Sequence, residues 1–86
     1  MRPDEAFFQK VDRLLFQLLE KTDYYMSRYY QDQTKQFIDV GEEGLAFMNL
    51  IHPYYEEGHA MSPEVRQLIN TLAEMMEITL PEPRKF

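Results

Sequence analysis

The 86-residue sequence contains no cysteine, and its three glycines all fall within one stretch, Phe37 to Gly58. Without cysteine there is no disulfide framework, no thiolate zinc site and no thiol nucleophile. That usage fits a reducing compartment. No apolar run approaches the roughly 18–20 residues needed to span a bilayer. Met1-Arg2-Pro3-Asp4-Glu5 turns acidic at once and lacks the apolar run of a secretory signal. A basic track is also missing: nine Lys and Arg face fifteen Asp and Glu, for a net charge of −6. Such a chain is repelled by nucleic acid and anionic membrane and attracted to basic surfaces. The expectation is a soluble, cytoplasmic protein that binds neither nucleic acid nor membrane. At this length it is one domain over residues 1–86, too thin for a deep substrate pocket beside a separate cofactor site.

What is present is helical patterning. Pro3 and Asp4 suit a first helical turn. Phe7, Phe8, Val11, Leu14, Leu15, Leu18 and Leu19 then repeat at the three-and-four spacing of one buried face, to about Lys21. Asp23 to Asp39 reads as a second helix, with an interruption expected near Gln31–Thr34 and Gly41 as a left-handed stop. Glu42 and Glu43 open a third, whose apolar face takes Leu45, Phe47, Met48, Leu50, Ile51 and Tyr54 or Tyr55. Pro53 lies inside that pattern and should kink the helix or end it near His52. Ser62-Pro63-Glu64 starts a fourth, striped by Val65, Leu68, Ile69, Leu72, Ala73 and Met76. Two prolines keep Leu80 to Phe86 extended. The expected fold is all-α: a compact four-helix domain, core about 4–78, with a proline-containing tail over 79–86 and antiparallel neighbours.

Charge is unevenly spread. From Gln31 to Glu64 the acids Asp32, Asp39, Glu42, Glu43, Glu56, Glu57 and Glu64 face Lys35 alone, so the whole −6 sits in the middle of the chain. Both ends are neutral. A solvated face would explain the carboxylates alone. Tyr54 and Tyr55 beside Glu56 and Glu57 favour a docking surface instead, since aromatics supply contact area at low entropic cost and carboxylates steer a cationic partner.

Other chemistry is weaker. His52, Glu56 and His59 suggest a metal site, but Pro53 disturbs the turn aligning them and no further ligand pair exists. Ser27 and Ser62 have no histidine near in sequence, and Ser62 is explained by capping. Glu42 and Glu43 diverge by about 100 degrees on a helix and make no acid–base dyad. Neither an enzyme nor a cofactor or metal is expected. Tyr24 to Tyr30 could stack bases, yet only Arg28 accompanies it. A core or interface role suits this segment better.

The run Phe37-Ile-Asp-Val-Gly-Glu-Glu-Gly-Leu-Ala-Phe-Met-Asn-Leu resembles a segment of the small helical immunity proteins of bacterial polymorphic and contact-dependent growth-inhibition toxin systems, particularly the Maf-type immunity family. There a similar Phe/Tyr-Ile-Asp-x-Gly-Glu-x-Gly-Leu-Ala run joins two helices. A Tyr-bearing helix end follows, then a short loop and a Ser-initiated last helix. Tyr54-Tyr55-Glu56-Glu57, Met61-Ser62-Pro63 and the Val65–Met76 helix fall in that order here. The resemblance covers Phe37 to about Ile78, and Pro53 departs from it. It implies a non-catalytic antitoxin for one cognate toxin domain, commonly a secreted nuclease. In either reading Gly41 is expected to permit a turn and Gly44 close helix packing.

The reading that results is an immunity protein that neutralises a basic nuclease toxin, a ribonuclease above all. The charge argument assigns its partner-binding surface to Asp39, Glu42, Glu43, Tyr54, Tyr55, Glu56 and Glu57. The alternative is a small helical adaptor or structural subunit that self-associates, or pairs with another protein, through Tyr24–Tyr30.

Overall fold

Residues 5–82 are described by the structure, a computed structural model of the chain. The helix start expected at Pro3 and Asp4, and the tail from Pro83 to Phe86, lie outside the described residues. Four α-helices make the fold: α1 Glu5–Thr22, α2 Arg28–Asp39, α3 Glu43–Tyr55 and α4 Pro63–Met75, with a 3-10 turn Asp23–Tyr25 between the first two. The described residues contain no strand.

α3 is the hub. It packs against α2 on one side and α1 on the other, and α1 carries α4. Eight of its thirteen residues are buried, Ala46, Phe47, Leu50 and Ile51 among them. A helix apolar nearly all round must be covered from more than one direction. α1 contributes Val11, Leu15, Leu18 and Leu19, and α4 contributes Val65, Ile69, Leu72 and Ala73. The expected stripes hold with edges trimmed: Phe7 on α1, and Leu45 and Met48 on α3, are exposed.

The second helix breaks elsewhere than its sequence suggests. The chain leaves helical geometry at Met26 and Ser27, where Ser27 is extended and its hydroxyl accepts from the Tyr30 N–H. Gln31 to Thr34 is unbroken helix because its polar groups turn inward to local partners. Gln31 Nε2 donates to the Asp23 and Met26 carbonyls, and the Thr34 hydroxyl to the Tyr30 carbonyl. Asn49 of α3 donates to Gln33 and Thr34, joining the two helices.

α2 ends in a Schellman motif. Gly41 lies at φ +80, its N–H donates to the Ile38 carbonyl, and the Glu42 N–H donates to the Phe37 carbonyl. α4 ends the same way, with Glu77 in the left-handed position at φ 55 and Ile78 donating to the Ala73 carbonyl. At the start of α4 the Ser62 hydroxyl accepts from the Val65 N–H at 3.1 Å, with Pro63 in the first turn. Ile78 and Leu80 fold back onto the core, so the tail's beginning is packed.

Pro53 does not stop α3, which runs on to Tyr55. Proline removes one N–H, which leaves the Asn49 carbonyl without its helical donor, but the surrounding core holds the helix together. The expected close packing at Gly44 is absent: a Cβ built there would meet no atom within 4 Å.

Candidate protein-docking surface

Continuation of α3 past Pro53 decides where its tyrosines go. Phe47, Ile51, Tyr54 and Tyr55 stand four, seven and eight residues along one helix face, and all are buried. Tyr54 and Tyr55 retain only 5% and 8% exposure. Both are largely buried and not exposed as a docking centre would be: Tyr54 lies within the core, and Tyr55 lies along the wall of a cleft at the end of α3 beside Glu56 and Glu57. The Tyr54 hydroxyl shares a 2.9 Å hydrogen bond with Thr22 Oγ1. Burial pushes the Tyr54 phenol above its ordinary value, against the lowering effect of the Thr22 bond, and nearby Tyr25 adds to the rise.

The expected acidic surface is also divided. Asp39 ends α2, Glu42 precedes α3 and Glu43 begins it, whereas Glu56 and Glu57 follow its last turn. Thirteen residues at about 1.5 Å rise put some 20 Å between these groups. They belong to opposite ends of α3. Asp39, Glu42 and Glu57 are exposed, Glu56 is half-buried and Glu43 is buried.

At the C-terminal end of α3 a cleft of about 620 Å³ opens between that helix and the start of α2. Tyr25, Met26 and Tyr30 form one wall, and Met48, His52 and Pro53 the other, with Glu56 and Glu57 at the helix end. Pro81 of the tail also reaches it. The loop bearing the carboxylates is fixed by backbone bonds from Glu56 and Glu57 to the His52 carbonyl and from His59 to that of Pro53. The His59 ring stacks on Tyr25 at 4.1 Å, and Tyr25 meets Tyr54 edge-on.

The chemistry this cleft offers is narrow. Ser27 caps α2, and the Asn49 amide is engaged by Gln33 and Thr34. What faces solvent is mainly aromatic ring, thioether and carboxylate, a combination suited to cationic side chains with apolar stems. Both glutamates sit beside the negative end of the α3 dipole, where carboxylates cost a helix about 0.3–1 kcal/mol each at exposed positions. Helix stability alone would place bases there. The positive end of α2 borders the same cleft, but its half charge is outweighed by two carboxylates.

Tyr25 and Tyr30 were not among the residues assigned to the docking surface from the sequence. The signal was present in the doubled tyrosines, which exceed what one buried stripe can cover. Tyr24, Tyr29 and Tyr30 are exposed, Tyr24 at 90%, so they are surface and not core.

The opposite end holds a second depression of about 440 Å³, lined by Glu5, Phe8, Gln9, Asp12, Ile38, Asp39, Gly41 and Glu43. Glu43 is 6% exposed, and its buried Oε2 has no hydrogen-bond partner. The α3 N-terminus favours a carboxylate by at most about 2 kcal/mol. Desolvating one costs several kcal/mol, so the dipole leaves much of that cost uncovered.

No group of three or more His, Asp or Glu among the described residues is arranged to hold a metal ion. None of the described helices is long and apolar enough to cross a membrane. No protein-family model matches the chain, and no curated protein or solved structure matches it significantly.

Proposed function

We propose that this chain is a non-catalytic immunity protein that neutralises a basic toxin domain, a ribonuclease in the first instance, by docking it on the cleft at the C-terminal end of α3. The observation that carries the reading is the meeting of exposed Tyr25, Tyr30 and Met48 with Glu56 and Glu57 in one open cleft. Enzymes that act on nucleic acid must present lysines and arginines to neutralise phosphates. The cleft carboxylates would pair with those bases, and the tyrosines would exclude water around the pairs. Asp39 and Glu42, some 20 Å away along α3, would serve as outer steering charges. The Phe37–Leu50 resemblance to Maf-type immunity proteins supports the same role.

The test needs a basic ribonuclease toxin domain, to be sought in the reading frame next to that of this chain. Association should slow about tenfold from low to high salt, as steered encounters do. Tyr30→Ala and Glu57→Lys should each weaken the complex about tenfold, or about 1.4 kcal/mol. A tight complex indifferent to both substitutions would place the interface elsewhere.

A second reading draws on the exposure of Tyr24 and Tyr29, which fits an adaptor that pairs through its aromatic segment. Self-association would bring together two copies of a chain of net charge −6, which like charge opposes. A monomer by sedimentation supports the first reading, and an obligate dimer the second.

A further inference from the structure

We propose that the depression between the first turns of α1 and the α2–α3 junction is a receptor for a lysine side chain of a protein partner. It is separate from the cleft, at the far end of α3. Among the described residues that line it are four carboxylates, Glu5, Asp12, Asp39 and Glu43, and no lysine or arginine. Acidic surroundings alone would mean little. The decisive feature is Glu43, whose carboxyl is almost wholly buried and whose Oε2 has no hydrogen-bond partner. A buried carboxylate oxygen left so is a cost to the fold, and a donor in the depression, met by a turn of the Glu43 carboxyl toward it, would remove that cost.

The shape and chemistry select the donor. No three ligands converge for a metal ion among the described residues. A single recessed acceptor calls for a compact charge on a slender stem, which is the lysine ammonium; the planar guanidinium prefers paired acceptors at one level. Phe8 and Ile38 supply apolar wall for the methylenes, and Asp39 stands at the exposed rim. That the lysine belongs to a protein rests on the reading that this chain docks a basic partner.

The experiment is a titration of the ¹⁵N-labelled full chain with Nα-acetyl-lysine N-methylamide, with the norleucine and arginine counterparts as comparators. The lysine probe should give saturable amide shifts confined to Phe8, Asp12 and Ile38–Glu43. Glu43→Gln should abolish them while melting no lower than the parent, because it keeps the shape and removes the buried charge. Asp39→Asn, at an exposed position, should weaken them a few-fold and serves if the first variant fails to fold. Equal shifts with norleucine, tighter binding of arginine, no saturation, or full binding by both variants would overturn the proposal. So would a several-fold gain in affinity on Arg2→Gln, which would make the chain's own arginine the occupant. The titration needs no toxin, so its failure leaves the cleft reading standing. A toxin indifferent to Tyr30→Ala and Glu57→Lys leaves its result untouched.

Discussion

The hydroxyls of Thr22 and Tyr54, thirty-two residues apart, share a buried hydrogen bond that ties the end of α1 to the end of α3. Gln31 of α2 reaches back to the Asp23 carbonyl at the same end, and Lys21 of α1 meets Glu64 at the start of α4. These three contacts show the alternating sense of the helices.

Tyr54→Phe removes the phenol and strands the fully buried Thr22 hydroxyl. Urea unfolding should show a loss of about 1–3 kcal/mol, because an unsatisfied buried group costs more than a bond is worth. Thr22→Val with Tyr54→Phe should recover part of it. The pH dependence follows from the raised phenol. The folded state holds its proton more tightly, so this contribution is complete below the ordinary value of 10.0 and is lost as pH climbs through the higher folded value. Tyr54→Phe should flatten that alkaline decline in melting temperature; an unchanged slope would assign it to other groups.

Three backbone positions should respond with different signs. Gly41→Ala forces a side chain into φ +80 where no neighbour obstructs it, so the loss is one of backbone strain, about 1 kcal/mol. Glu77→Gly relieves the same conformation at the end of α4 and should gain about 0.5–1 kcal/mol. Gly44→Ala lies within α3 beside open space and should gain up to about 1 kcal/mol from helix propensity. Chemical denaturation of the three variants checks all the signs together.

Lys21, in the last turn of α1, pairs with Glu64, in the first turn of α4, each at the helix end its charge favours. Their hydrogen bond, then their charge attraction, holds Glu64 below its ordinary 4.5 and Lys21 above 10.5. The glutamate's share is present above 4.5 and fades as pH falls through its lowered value. The lysine's is present below 10.5 and fades as pH rises through its raised one. Both groups are solvent-exposed, so the effect is small and screened. Glu64→Gln should shift melting slightly at neutral pH in low salt, and not at all in about 1 M salt.

The sequence by itself determined the helices and most of their ends, because spacing and capping are local. Ser62-Pro63 starts α4 and Gly41 ends α2 where expected, and the Val11–Leu19 stripe is buried. It also determined that the chain is acidic in its middle. Only the tertiary structure decided which of those residues share a surface. A core on both sides of α3 carries the helix through Pro53, and the same turn of phase moves Tyr54 and Tyr55 inside. The length of α3 then separates carboxylates that are close in charge bookkeeping but not in space. Tyr25 and Tyr30 join Glu57 only because α2 doubles back along α3. Glu43 is buried where the start of α3 meets α1 and the end of α2. Local preference is written residue by residue, whereas burial and adjacency depend on what the rest of the chain brings alongside.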